Sequence, residues 1–167
     1  MKLYRSFHEV LTALLPLHEA LIQQSKEDEA ISTRIAGDSK YASYFADCVG
    51  ALDGTHIDVY ISGEPSVPFR NRKGTLSQNV LIVCDFEMMF RFVLPGWEGS
   101  AHDVRVLRDA VSQGGFNPPK GKFYLGDAGY SNGEWLLTPY RGVKYHIREQ
   151  WQSEKRFTLF HLLTTDY

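Results

Sequence analysis

The chain has 167 residues, 43% of them hydrophobic and 23% charged, the balance of an ordinary globular domain long enough to bury a core without staples. No run approaches the ~20 apolar residues of a membrane helix, Met1-Lys2-Leu3-Tyr4-Arg5 leads into no apolar signal region, and Cys48 and Cys84 stand far apart outside any CxxC pair, which leaves no framework for zinc or disulfides. A formal net charge of -2 gives no global pull toward nucleic acid, so contact with a polyanion has to come from a local basic cluster.

From Phe7 to Gln24 the residues Phe7, Val10, Leu11, Leu14, Leu17, Leu21 and Ile22 recur at three- and four-residue steps, the pattern of an amphipathic helix that Pro16 kinks or splits. Ser25 to Lys40 is rich in acidic residues and poor in apolar ones, and is expected to be an exposed connection ahead of the core. Cys48 to Asp53 leads into Ile57 to Ile61, an alternating and β-branched stretch that predicts a first strand with Asp53 at or inside it.

Asn79 to Asp85 is read as a continuous apolar run buried on both faces, and Met89 to Leu94 as its hairpin partner across Phe86-Glu87-Met88. Ser100 is expected to cap a helix with Asp103 at the capping-box position and Val104, Leu107 and Val111 along its apolar stripe. That helix should end near Gly114-Gly115. Lys122 to Leu125 and Val143 to Ile147 predict two further strands. Together these elements make a mixed α/β pattern that opens with a three-strand meander. Gln150 to Tyr167 carries apolar residues with no evident partner element.

Asp53 and Asp127 share one setting, each at a predicted strand or its end and each followed by small residues, in Asp53-Gly54 and Asp127-Ala128-Gly129. Carboxylates placed there can reach solvent, and two of them on adjacent strands, with waters and phosphate oxygens, suit a hard divalent cation such as Mg²⁺. The competing reading of an Asp-Gly pair is a simple turn. His56, three residues after Asp53, falls on the opposite strand face and reads as a packing or hydrogen-bonding histidine. Asp103 is accounted for as a helix N-terminal charge, with a site role as the alternative. Trp97 and Tyr130, beside glycines, read as lids on the core rather than base-stacking platforms. Arg70, Arg72, Lys73 and Arg141 are the candidate phosphate contacts.

Five strings in order carry a resemblance: Gly50-Ala51-Leu52-Asp53-Gly54-Thr55-His56-Ile57; Phe69-Arg70-Asn71-Arg72-Lys73-Gly74 with Leu76-Ser77-Gln78-Asn79-Val80; Pro95-Gly96-Trp97-Glu98-Gly99-Ser100-Ala101-His102-Asp103 with Val106-Leu107; Leu125-Gly126-Asp127-Ala128-Gly129-Tyr130; and Thr138 to His146. They resemble the PIF/Harbinger-type, transposase-derived DDE superfamily endonucleases. The resemblance implies an RNase H-like mixed sheet with flanking helices, DNA as partner, a Mg²⁺ or Mn²⁺ cofactor and a nuclear location, with the cytoplasm as the alternative. It also implies a separate sequence-specific DNA-binding protein. Asp53 and Asp127 correspond to the family's first and second catalytic, metal-binding aspartates, and Asp103 is carried as a further candidate metal ligand.

The family's third acidic residue lies in an Arg-Asn-x-x-Glu-Arg-like string that is absent here. Glu149 resembles part of a His-x-x-Glu-Gln segment upstream of it, and Glu154 stands in no matching motif. The expected organisation is therefore an N-terminal helical segment and linker over 1–43, an endonuclease core incomplete at its C-terminal end over 44–150, and a non-matching tail over 151–167. The expected activity is a weak or absent phosphodiester cleavage, and the alternative is a non-catalytic DNA- or protein-binding relic.

Overall fold

Alternating and β-branched residues build the first strand, and in the computed structural model, which describes residues 2–140, it runs unbroken as β1 (Cys48–Asp58). β2 (Ser77–Cys84) and β3 (Phe90–Glu98) follow it as antiparallel neighbours, which is the expected meander. β4 (Phe123–Leu125) then returns to the free edge of β1 and pairs with it in parallel, and β5 (Leu136–Leu137) pairs in parallel with β4. Among the described residues the sheet has five strands in the order β3-β2-β1-β4-β5, a mixed sheet of the α/β class that the residue pattern and the family resemblance imply. The expected strand over Val143–Ile147 and the tail lie outside the described residues.

Among the described residues five α-helices accompany the sheet: α1 (Lys2–Leu14), α2 (Leu17–Leu21), α3 (Thr33–Ala36), α4 (Ser39–Phe45) and α5 (Asp103–Ser112). Pro16 splits the first apolar stripe into α1 and α2 as expected, because its ring cannot donate a helical hydrogen bond. The apolar residues of α1 stay exposed, Phe7 at 62% and Leu14 at 53%. α5 instead lays Val106, Leu107 and Ala110 on one face of the sheet, where they join Leu52, Leu81, Val83, Phe116, Tyr124, Tyr130 and Leu136 in the core.

Three expectations are corrected. Ser25 to Lys40 is not a bare connection, since it contains α3 and the first two residues of α4 and buries Ser25 and Ile35. Polar ties hold it: Arg91 bonds Glu29 at 2.9 Å and Asp85 at 2.7 Å, and Ser32 Oγ donates to Glu87 Oε1 at 2.8 Å. Such ties leave no hydrophobic periodicity to read. Nor does Ser100 cap α5. Its N–H donates to the Pro68 carbonyl at 3.1 Å, and the helix starts two residues later than expected, with His102 as N-cap. Finally, β3 continues through Pro95 and Gly96 to Glu98, because a register shift between Asn79 and Leu81 takes up the irregularity.

Leu81 is fully buried at the centre of β2. Leu81→Ala is expected to cost about 3 kcal/mol through lost burial and the cavity left behind, read as a fall in the urea midpoint with an unchanged slope.

Candidate active site

The parallel pairing of β1 with β4 fixes where the two sequence-selected aspartates lie. Its last aligned pair is Ala51 with Leu125, so Asp53 and Asp127 stand two residues further along on neighbouring chains and turn to the same face. That face is the one opposite α5. Both line a cavity of about 330 Å³ walled by Ile35 of α3, Tyr41 and Phe45 of α4, Ala51, Cys84, Phe86, Met88 and Leu125, with Arg34 and Asp85 among its polar lining. Asp53 is half-buried and Asp127 exposed.

Each carboxylate uses Oδ1 on a backbone N–H, Asp53 accepting from Gly54 and Asp127 from Gly129, both at 2.8 Å. Burial pushes the Asp53 carboxyl up to about 6 against the pull of the Gly54 N–H, and the charges of Asp127 and Asp103 add to the rise. Two hard oxygen donors that repel each other at the rim of a mostly apolar cavity suit a divalent cation, which would remove the repulsion. The donor set stops at two, for among the described residues no group of three or more His, Cys, Asp or Glu could hold a metal ion.

Asp103 is not brought to that cavity wall. A Cβ on Gly54 would run into Asp103 Oδ1 and lie 2.8 Å from its Cγ, so this carboxylate sits on the α5 side of β1, across the strand from the side chain of Asp53. Gly54 is therefore required by space inside the strand and not by a turn. Tyr130 is a buried core residue, and Trp97 packs on the core while its Nε1 donates to Asp109, as the lid reading expects. His56 Nδ1 lies 3.0 Å from Ser77 Oγ, a hydrogen-bonding role.

The basic cluster forms the tip between the bridge of Arg70 with Leu76. Asn71 organises it: its Oδ1 accepts from the N–H groups of Lys73 and Thr75, and its Nδ2 donates to Thr75 Oγ1 and Ser77 Oγ. Gly74 supplies the left-handed turn with φ 83°. Arg70 donates to the Gly74 carbonyl at 2.6 Å, and Arg72 reaches His102 at the start of α5 at 2.9 Å. Arg72 and Lys73 are exposed. Arg141, Glu149 and Glu154 lie outside the described residues.

Asn79 heads a run that reads as apolar in the sequence, which hides its role. It is fully buried and bonds Asp103 Oδ1 and the Ala101 carbonyl. The signal was present, since an amide heading a strand as apolar as Val80-Leu81-Ile82-Val83 has to find partners indoors.

A mixed sheet that sets two aspartates side by side on parallel neighbours, at the rim of a cavity, has the form of an RNase H-like nuclease core. The sequence profile described as DDE superfamily endonuclease matches residues 52–161, and the chain belongs to that family, in its Harbinger transposase-derived branch. Among its relatives is "Putative nuclease HARBI1", with which it is 29% identical over 154 residues in Rattus norvegicus, 87% of this chain and 42% of the relative. The Mus musculus protein of that name is 30% identical over 129 residues, 72% of this chain and 37% of the relative. "Protein ALP1-like" of Arabidopsis thaliana is 32% identical over 115 residues, 57% of this chain and 28% of the relative. The chain thus spans less than half the length of these relatives. No solved structure matches it.

Because the Asp53 carboxyl rises in the folded protein, its contribution to stability is full below the unfolded value near 3.8 and is lost as pH climbs through about 6. In metal-free buffer Asp53→Asn is therefore expected to be more stable than wild type at pH 8, by ~1–2 kcal/mol after allowing for solvent screening. The gap should close toward pH 4. Urea titrations across that range measure it.

Proposed function

We propose that this domain binds DNA and cleaves phosphodiester bonds in a Mg²⁺- or Mn²⁺-dependent reaction, with Asp53 and Asp127 as the metal-holding catalytic pair. The observation that carries the proposal is the β1–β4 pairing that sets both carboxylates on one cavity rim. DDE superfamily endonucleases generally use divalent metal ions. Bound here, such an ion would supply Lewis-acid activation of water or a 3′-hydroxyl and charge neutralisation at the phosphate.

The chain's own residues do the rest. Asp53 and Asp127 orient the cation, each held by a backbone N–H that fixes the direction of its other oxygen. Asp53 has to give up its proton to serve, so metal affinity falls as pH is lowered through about 6. Arg72 and Lys73, on a loop that Asn71 makes rigid, offer contacts to the phosphate backbone. Arg70 and Arg141 are assigned the same role. These contacts position DNA without reading bases, and sequence choice is assigned to a separate DNA-binding protein. The place of action is assigned to the nucleus. Two carboxylates instead of three in the described residues favour slow chemistry, and a DNA-binding domain that does not cut is the second reading.

Supercoiled plasmid with Mg²⁺ or Mn²⁺ separates the two. Nicking that stops with chelator, and drops at least about 100-fold in Asp53→Ala and Asp127→Ala, is the expected result. Retention of plasmid in a mobility shift with no nicking supports the second reading, and nicking that survives both substitutions contradicts the proposal.

Replacing Arg72 and Lys73 with Ala should weaken DNA binding equally across sequences. It should also flatten the slope of log affinity against log salt by about 2, one unit per lost phosphate contact. Fluorescence anisotropy over a salt series measures this, and an unchanged slope removes the loop from the DNA interface.

A further inference from the structure

Gly54 and His56 of β1 turn toward α5, and so do Asn79 and Leu81 of β2, since the antiparallel register sets Gly54 opposite Leu81 and His56 opposite Asn79. That face is a dry core of Leu52, Leu81, Val83, Val106 and Ala110, yet an amide with no exposure and a half-buried carboxylate sit beside it. Asn79 Nδ2 donates to Asp103 Oδ1 at 2.7 Å and to the Ala101 carbonyl at 3.0 Å, so one amide ties β2 to the first residue of α5 and to the turn before it. The Asp103 carboxyl lies over the Cα of Gly54, where any side chain would collide with it. Gly54 in turn donates its N–H to Asp53 Oδ1 at 2.8 Å. Contacts therefore run without a break from Asn79 through Asp103 and Gly54 to Asp53.

Stability gives a poor account of this arrangement. Asn79 Oδ1 is buried and meets no hydrogen-bond donor among the described residues, which counts against the stability of the fold. An apolar pair of similar volume would hold α5 to the sheet without that cost. The arrangement has a purpose if what it fixes is direction. A carboxylate that binds metal works only when its neighbours hold it in place, and loss of one such neighbour weakens metal binding about 10- to 100-fold.

We infer that Asn79 is a positioning residue for Asp53: it holds Asp103 over Gly54, and through Gly54 it fixes how β1 presents the Asp53 carboxylate toward Asp127. The inference rests on the reading of Asp53 and Asp127 as a metal site. Asp103 acts here as a hydrogen-bond acceptor from the far side of the strand, and its acceptor oxygen is what the arrangement uses.

The test compares wild type, Asn79→Ala, Asp103→Ala and Asp103→Asn by Mn²⁺ titration followed by electron paramagnetic resonance. Amide exchange at Gly54 and Thr55, measured without metal, accompanies it. Asn79→Ala and Asp103→Ala are expected to weaken Mn²⁺ binding by about 10- to 100-fold and to speed exchange at both amides. Asp103→Asn keeps the acceptor oxygen and is expected to hold both properties near wild type. If Asn79→Ala does not fold, the two Asp103 substitutions carry the comparison alone. Mn²⁺ binding and exchange unchanged in Asn79→Ala overturn the inference, and so does Asp103→Asn losing as much affinity as Asp103→Ala. Wild type that binds no Mn²⁺, or Asp53→Ala that binds as well as wild type, refutes the metal site itself. The amide exchange then decides whether Asn79 still governs the strand at Asp53.

Discussion

The proposed site depends on one pairing, the parallel contact of β4 with the free edge of β1. Without it Asp53 and Asp127 are two acidic residues separated by a hairpin and a helix. With it they stand two residues past a shared ladder rung, on one face, at the rim of one cavity. A parallel neighbour needs a crossover, and α5 supplies it by leaving β3, packing on the far face and delivering the chain to β4. The helix that closes the core is thus also the device that brings the second carboxylate home.

β1 carries two demands on alternate residues. Its α5 side, at Leu52 and Gly54, belongs to the core, and its other side, at Ala51 and Asp53, belongs to the cavity. The strand is therefore half a structural element and half a site, and the two halves meet at Gly54. There the backbone holds Asp53 Oδ1 with its N–H while the missing side chain leaves room for Asp103. Burying that carboxyl, with the like charges of Asp127 and Asp103 nearby, costs the folded state some stability, which shows as the raised Asp53 carboxyl. Sites that hold a cation are built at that cost, because a cation reverses the repulsion.

Much of this was legible in the chain. Periodicity placed α1, the meander and α5, and the split at Pro16 follows from the ring alone. The paired aspartates stood out because small residues follow each at a strand end, and the five ordered motifs carried the family. Other features left no local trace. The ties of Arg91 to Glu29 and Asp85 are polar contacts between distant segments, so they made Ser25 to Lys40 look like an idle connection. Asn79 was hidden inside an apolar run, and its role appears only when α5 arrives over it. Ser100 has the right residue type for a cap, yet its N–H is taken by Pro68 and the helix begins later. Asp103 was a plausible ligand by nearness in sequence; strand alternation puts its carboxylate on the other side of β1.

The central proposal is that Asp53 and Asp127 jointly hold one doubly charged cation. Crystals of the protein grown with Mn²⁺ and measured at a wavelength that reveals manganese test this most directly. The account predicts a single strong anomalous peak within bonding distance of both carboxylates, on the cavity side of β1. A peak bound to Asp103 on the α5 side, or none near either aspartate at saturating Mn²⁺, would contradict it.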